Sequence, residues 1–106
     1  MRYRIEITDK ARSDLRKIFE YIALELLVPA TASAQLYRLE EAVMSLDIMP
    51  KRFRKYESEP WRSRGLRIMP VDNYAILYIP DEKAGIVTVL RIMYSGSDIE
   101  NQLKNQ

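Results

Sequence analysis

Between Leu66 and Tyr94 three strand-like apolar runs follow one another with only short turn signals between them, and this order limits the fold more than any other feature. Leu66 and Ile68 alternate with Arg67 and Met69 until Pro70, Tyr74–Ile79 reads YAILYI and is closed by Pro80, and Ile86–Tyr94 reads IVTVLRIMY. β-Branched and aromatic residues at this density mark strands. Asp72-Asn73 suits a tight turn, and residues 80–85 a longer one. Strands joined so closely pair as antiparallel neighbours. The third run is apolar on both faces, as expected of a strand buried at the centre of a sheet.

The residues ahead of these strands read as a support. In residues 2–7, Tyr3, Ile5 and Ile7 alternate with Arg2, Arg4 and Glu6, the pattern of a half-buried strand. Thr8 and Asp9 then offer capping oxygens, and Ala11, Leu15, Ile18, Ile22 and Leu26 repeat at helical spacing. Pro29 ends that helix and suits the first turn of the next, whose apolar stripe is Ala32, Leu36, Leu39, Val43 and Leu46 before Pro50. The short join implies an αα-hairpin. Its stripes read as core, with an outer apolar groove left for a partner helix. Residues 98–103 suit a short terminal helix. The expected fold is α+β, in the order β-α-α-β-β-β. The N-terminal strand and helical hairpin pack on a mainly antiparallel four-stranded sheet, and residues 1–106 form a single domain.

Charge is unevenly spread. Residues 51–67 hold seven cations against two glutamates, a local excess of five in a chain of net charge +2, so the remainder is acidic by three. Such a cluster suits an acidic partner or nucleic acid. Lys51, Arg52, Arg54, Lys55, Arg62 and Arg64, with Trp61 among them, are the candidate target-binding residues. The alternative for each is a solvated loop position. The chain has no histidine and no cysteine, which leaves out imidazole acid–base catalysis, Ser-His triads, thiolate metal sites and disulfides. No cofactor or metal is expected. No apolar run approaches the roughly 18 residues that span a membrane. The first residues pass directly into a strand pattern without a leader, so a cytoplasmic protein is expected.

The element order, together with particular residues, resembles the RelE/ParE superfamily of toxins from bacterial type II toxin–antitoxin systems. The front of the resemblance is Tyr3-Arg-Ile-Glu-Ile-Thr-Asp-Lys-Ala11, Asp14-Leu15, Ile18, Tyr21-Ile22, Pro29, Ser45-Leu46 and Pro50. The back is Arg64-Gly-Leu-Arg67, Tyr74-Ala-Ile-Leu-Tyr78, Val89-Leu-Arg-Ile-Met-Tyr94 and Asp98-Ile99. It implies a growth-inhibiting toxin neutralised by a cognate antitoxin. The target is DNA gyrase for ParE-like members and the ribosome with its mRNA for RelE-like endoribonucleases.

The residues lean towards ParE. Metal-free RNA cleavage needs a base, an acid and cations around the phosphorane. RelE-like enzymes carry an arginine after the tyrosine that opens the second C-terminal strand, where this chain has Ala75. They also carry basic residues past the last strand, where it has Ser95, Gly96 and Ser97. Each lost donor typically costs about 2.7–4 kcal/mol of barrier. If the chain is a ribonuclease, Tyr94 and Arg67 are the catalytic candidates; a phenol serves better as acid than as base at neutral pH. Equally, Tyr94 reads as an aromatic anchor and Arg67 as a surface cation. Glu57 and Glu59 are the local candidates for a base, or ordinary loop acids. By strict alternation Arg91 shares a face with Val87, Val89 and Met93, and Tyr94 with Leu90 and Ile92. That separates Arg91 from Tyr94 and favours a structural role for Arg91, paired with a carboxylate. A third reading is an attenuated toxin that keeps only antitoxin binding.

Overall fold

The computed structural model describes residues 1–104. Strand β1 (Arg4–Ile7) leads into helix α1 (Asp9–Glu20), a π-helical turn (Tyr21–Glu25) and helix α2 (Pro29–Met44). Strands β2 (Arg67–Val71), β3 (Tyr74–Asp81) and β4 (Ile86–Tyr94) follow, then helix α3 (Ile99–Leu103). The sheet order is β1-β4-β3-β2, with β1 parallel to β4 and the other pairs antiparallel. The expected α+β order and the terminal helix are therefore present, and the run Ile86–Tyr94 is an inner strand.

Its double-sided apolarity has a simple cause. On one face Val87, Val89, Ile92, Ile76 and Tyr78 pack against Ala11, Leu39, Val43 and Leu46 of the helical support. On the other, Ala75, Leu77, Leu90 and Met93 pack beneath Leu66 and Leu103, with Tyr56, Trp61 and Ile99 partly covering them. Each large apolar side chain so buried contributes roughly 1.5–3 kcal/mol. A sheet covered on both faces leaves no broad polar face open.

Three local features depart from the sequence pattern. First, α1 gives way to a π turn at Tyr21, so the helical stripe is rotated. Ile22 is buried, but Leu26, expected on the same stripe, is 52% exposed. Leu27 then turns the chain with φ of 59°. Second, the register between β3 and β4 shifts: Tyr78 pairs Val89 while Leu77 pairs Arg91, leaving Leu90 as an extra residue. This β-bulge inverts the alternation. Ile92 and Tyr94 therefore share the helix-side face with Val87 and Val89, whereas Leu90 and Met93 face α3. The strict alternation expected for Arg91 and Tyr94 does not hold. Third, the long loop after Pro50 is tied down. Lys55 bridges Arg67, Tyr56 N–H donates to Leu66 O, and Ile68 N–H donates to Arg54 O.

Asp14 joins the two halves. Its carboxylate accepts from Arg91 Nε and Nη2 at 2.8 and 3.0 Å, and from the Ile92 N–H at 2.9 Å. The pair is largely buried, with side-chain exposures of 15% for Arg91 and 11% for Asp14. Hydrogen bonding to Asp14 raises the Arg91 pKa further. Arg91 is thus the carboxylate-paired structural residue anticipated from the sequence. Asp14→Ala would strand a buried guanidinium and a strand N–H, and should lower unfolding free energy by about 3–5 kcal/mol in urea melts.

Tyr78 is fully buried and donates from its hydroxyl to Pro50 O at 2.6 Å. Burial pushes its pKa from 10.0 up to about 12. The native phenol keeps its proton where the unfolded one loses it. Stability should therefore fall as pH rises from 10 towards 12, by roughly 1.4 kcal/mol per pH unit once the unfolded phenol has ionised. Tyr78→Phe should flatten that alkaline dependence in melts followed across this range.

Candidate functional site

The cations of residues 51–67 divide by what they hold. Arg52 donates from Nη1 to Ile48 O at 2.7 Å and Met49 O at 3.1 Å, and from Nη2 to Ser45 Oγ at 3.0 Å. It thereby satisfies carbonyls of the turn that follows α2 and ties that turn to Ser45. It also lies over the Phe53 ring at 4.8 Å. Arg67 donates from Nη1 to Lys51 O at 3.1 Å and Phe53 O at 2.7 Å, pinning the loop to the sheet. Arg52 and Arg67 act here as struts.

The remaining cations point outward. Lys51 pairs with Glu82 at 3.4 Å, and Arg64 stacks over Trp61 at 4.9 Å. Arg54, Lys55 and Arg62 are exposed. The Arg62–Arg64 end is shaped by Glu59, which accepts from Ser63 N–H at 2.8 Å and Ser63 Oγ at 2.7 Å. Those bonds, with help from Arg62, hold the Glu59 carboxyl below its ordinary pKa. Gly65 closes the turn at φ of 85°, a conformation that favours glycine. Trp61 packs against the core and carries Arg64 over its ring, which makes an amphipathic platform among the outward cations.

Tyr94 lies elsewhere. It pairs Tyr74 across β3, while Arg67 pairs Tyr78. Four residues along β3 separate the two, about 13 Å. Because the Arg67 guanidinium turns towards the loop carbonyls, the two catalytic candidates do not converge. Around Tyr94 the structure instead gathers Lys17, Ile18, Tyr21 and Tyr74 in a hollow of about 580 Å³. The Tyr74 and Tyr94 rings meet edge to face, with centroids 6.1 Å apart. Burial, then the neighbouring Tyr21 and Tyr94, raises the Tyr74 pKa. The sequence concealed this group because its members come from α1, β3 and β4 and depend on the Leu90 bulge.

The positions without cations have physical roles. Ala75 is buried on the α3 side of the sheet. Ser95 N–H donates to Asn73 O at 2.8 Å, and Ser97 donates to Tyr94 O from N–H at 3.0 Å and from Oγ at 2.6 Å. Together these form a close turn. On the far side of α1, a second hollow of about 530 Å³ runs between α1 and α2, floored by Leu15, Phe19, Leu36 and Val43 and edged by Arg12 and Arg16. Among the described residues no helix is long and apolar enough to cross a membrane.

Comparison with known proteins agrees with this architecture. The family described as ParE toxin of type II toxin-antitoxin system, parDE, matches residues 5–99. No curated protein matches the sequence. Among solved structures, a chain of the chromosomal ParDE system of P. aeruginosa superposes with a TM-score of 0.68 at 22% identity, covering 87% of this chain and 95% of that one. A chain of the RelBE2 toxin–antitoxin complex of Mycobacterium tuberculosis gives 0.62 at 24%, covering 89% and 99%. A mutant of the E. coli toxin RelE in the free state gives 0.68 at 14%, covering 99% and 98%. At these identities the structures speak for the fold alone.

Arg67→Met should loosen the loop without removing its outward cations. Hydrogen exchange over residues 51–56 should quicken, and stability should fall by about 1.5–3 kcal/mol, the range for hydrogen bonds to a charged group.

Proposed function

The chain belongs to the ParE toxin family of type II toxin–antitoxin systems, and from that membership we propose that it arrests growth by binding DNA gyrase through its basic loop. The chain is the toxin of such a module. On this reading it has no active site. Lys51, Arg54, Lys55, Arg62 and Arg64 steer the encounter, and Trp61 supplies an aromatic anchor of the kind that dominates interface energies.

The observation that carries this reading is the closed sheet. Ala75 and Met93 are buried on the α3 side, and the Arg67 and Arg91 guanidinium groups are committed to loop carbonyls and to Asp14. Among the described residues Lys17 is the one cation lining the Tyr94 hollow. Phosphoryl chemistry without a metal relies on several preorganised cations, so this arrangement favours binding over cleavage.

The antitoxin is the second partner. Its amphipathic helix would lie in the hollow between α1 and α2, placing apolar anchors on Leu15, Phe19 and Leu36 and carboxylates against Arg12 and Arg16.

Ribosome-dependent mRNA cleavage is the alternative, favoured by one feature: Tyr94 is 57% exposed with Lys17 beside it. Induced expression without antitoxin separates the readings. Gyrase inhibition predicts loss of plasmid supercoiling and a DNA-damage response while translation continues. Replacing Arg54, Lys55, Arg62 and Arg64 with glutamate should abolish both. An immediate halt in translation with normal supercoiling would overturn the proposal, and transcript cuts lost in Tyr94→Phe would establish the alternative. Unimpaired growth would point instead to an attenuated toxin that retains antitoxin binding.

A further inference from the structure

We propose that two copies of this chain associate through the tip of the helical hairpin, each seating its Leu26–Leu27 corner in the tyrosine-lined hollow of the other. Residues 21–34 read YIALELLVPATASA. All of these positions except Ile22, Ala23 and Ala32 are exposed, and Glu25 is the one charge among them. Charged residues make up 30% of the chain, a usual share for a surface, so about three would be ordinary over such a stretch. In their place Leu24 and Leu27 stand 68% and 75% exposed, and Tyr21, Leu26 and Val28 are exposed with them.

The backbone holds these side chains outward. Helix α1 passes into the π turn at Tyr21, where Leu26 N–H donates to Tyr21 O at 3.1 Å and Val28 N–H donates to Ile22 O at 3.2 Å. Leu27, between them, has φ of 59°, where a branched side chain is strained and glycine or asparagine is the usual occupant. π Turns and strained left-handed residues both concentrate at functional sites. Glycine would close the same turn without strain, but with no side chain to project.

Area and charge identify the occupant as a second copy. The five exposed apolar residues present roughly 500 Å², near the top of the about 300–600 Å² usual for the largest patch on a monomer. Two tips in contact cover about 1,000 Å², the lower bound of a specific interface, and the hollows with their Tyr74 and Tyr94 walls add to it. Tyr21 belongs to both features, so corner and hollow lie side by side on one surface. A two-fold axis near Tyr21 brings each corner to a hollow, the reciprocal pattern of an isologous dimer. Each hollow, about 580 Å³ walled by Ile18 and three tyrosine rings, has room for leucine side chains.

The charges along α1 agree with the same axis. Lys17, Tyr21 and Glu25 follow one another at steps of four along one face of the helix. An antiparallel crossing about Tyr21 therefore sets Glu25 of each copy against Lys17 of the other. A bilayer is the poorer partner: interfacial helices carry lysine and arginine around their apolar face, whereas Glu20 and Glu25 flank this one. The groove between α1 and α2 uses Arg12, Leu15, Arg16 and Phe19 of α1 and none of the tip residues. The association thus depends on neither the antitoxin seat nor the gyrase reading.

Sedimentation equilibrium of the full chain tests this. The mass should rise with concentration from 12.5 kDa to twice that value, with a dissociation constant of about 1–100 µM. Leu27→Gly keeps the turn and relieves its strain, so its melting temperature should equal or exceed that of the parent chain while association weakens at least about tenfold. Lys17→Glu and Glu25→Lys should each weaken association about fivefold, and the chain carrying both should recover the parent value. A chain that stays at 12.5 kDa up to about 200 µM overturns the proposal. So does a dimer indifferent to Leu27→Gly, or one that the combined charge reversal fails to restore. A monomer that co-sediments with phosphatidylcholine vesicles would assign the tip to a bilayer and overturn it as well.

Discussion

The carboxylate of Asp14 is the contact on which the rest of the molecule is hung. It spans 77 positions of sequence to Arg91 and caps the Ile92 N–H in the next position. Burying a guanidinium costs several kcal/mol, and its pairing only about recovers that, so such a pair adds little net stability over an apolar contact of equal size. What it adds is registration. An apolar helix stripe can slide along a sheet by a turn with modest loss, whereas a bidentate pair plus a main-chain bond is satisfied in one place. With α1 fixed at that point, Ala11 meets the sheet on one side of Asp14, and Lys17, Ile18 and Tyr21 meet the end of β4 on the other.

That placement depends on the bulge at Leu90. One extra residue on β4 reverses the facing of every residue after it. Without it Tyr94 would face α3, Met93 would face α1, and the tyrosine hollow would not exist. The bulge is in turn supported from both faces: Leu90 is buried against Leu77, and the backbone on either side is bonded by Thr8 and Asp14. Local sequence, a hydroxyl at the helix cap and a carboxylate in its second turn, therefore decides which chemistry the far end of the sheet presents.

Much of this was legible in the chain. The period of two in Tyr3–Ile7, the helical spacing from Ala11 to Leu46 and the three apolar runs after Leu66 each reflect burial of one face, and burial is written directly in residue type. Asp72-Asn73 was readable as a turn, and the structure adds why it holds: Gln35 and Arg38 both donate to the Asp72 carboxylate, at 2.9 and 2.7 Å, and keep its pKa below the usual value. Features set by geometry between distant residues were not legible. The π turn at Tyr21, the Leu90 bulge and the commitment of Arg52 and Arg67 to main-chain carbonyls leave no periodic trace. A cation in sequence looks the same whether it faces a phosphate or a carbonyl. Seven cations in residues 51–67 thus overstated the free charge of the surface, and the cluster around Tyr94 went unseen.

The missing cation at Ala75 gains a different meaning from its surroundings. In sequence it is an absence, a small apolar residue where the resemblance to RelE-like toxins leads to the expectation of an arginine. In the fold it is 3% exposed and sits with Met93, Leu77 and Leu103 in a close-packed layer. A guanidinium at this position would have to displace Leu103 or remain buried without a partner, a cost of several kcal/mol in either case. The position is therefore part of the packing beneath α3, and a single substitution cannot restore a cation there. What remains outside the closed sheet are the outward cations around Trp61 and the tyrosines Tyr21, Tyr74 and Tyr94 at the end of β4.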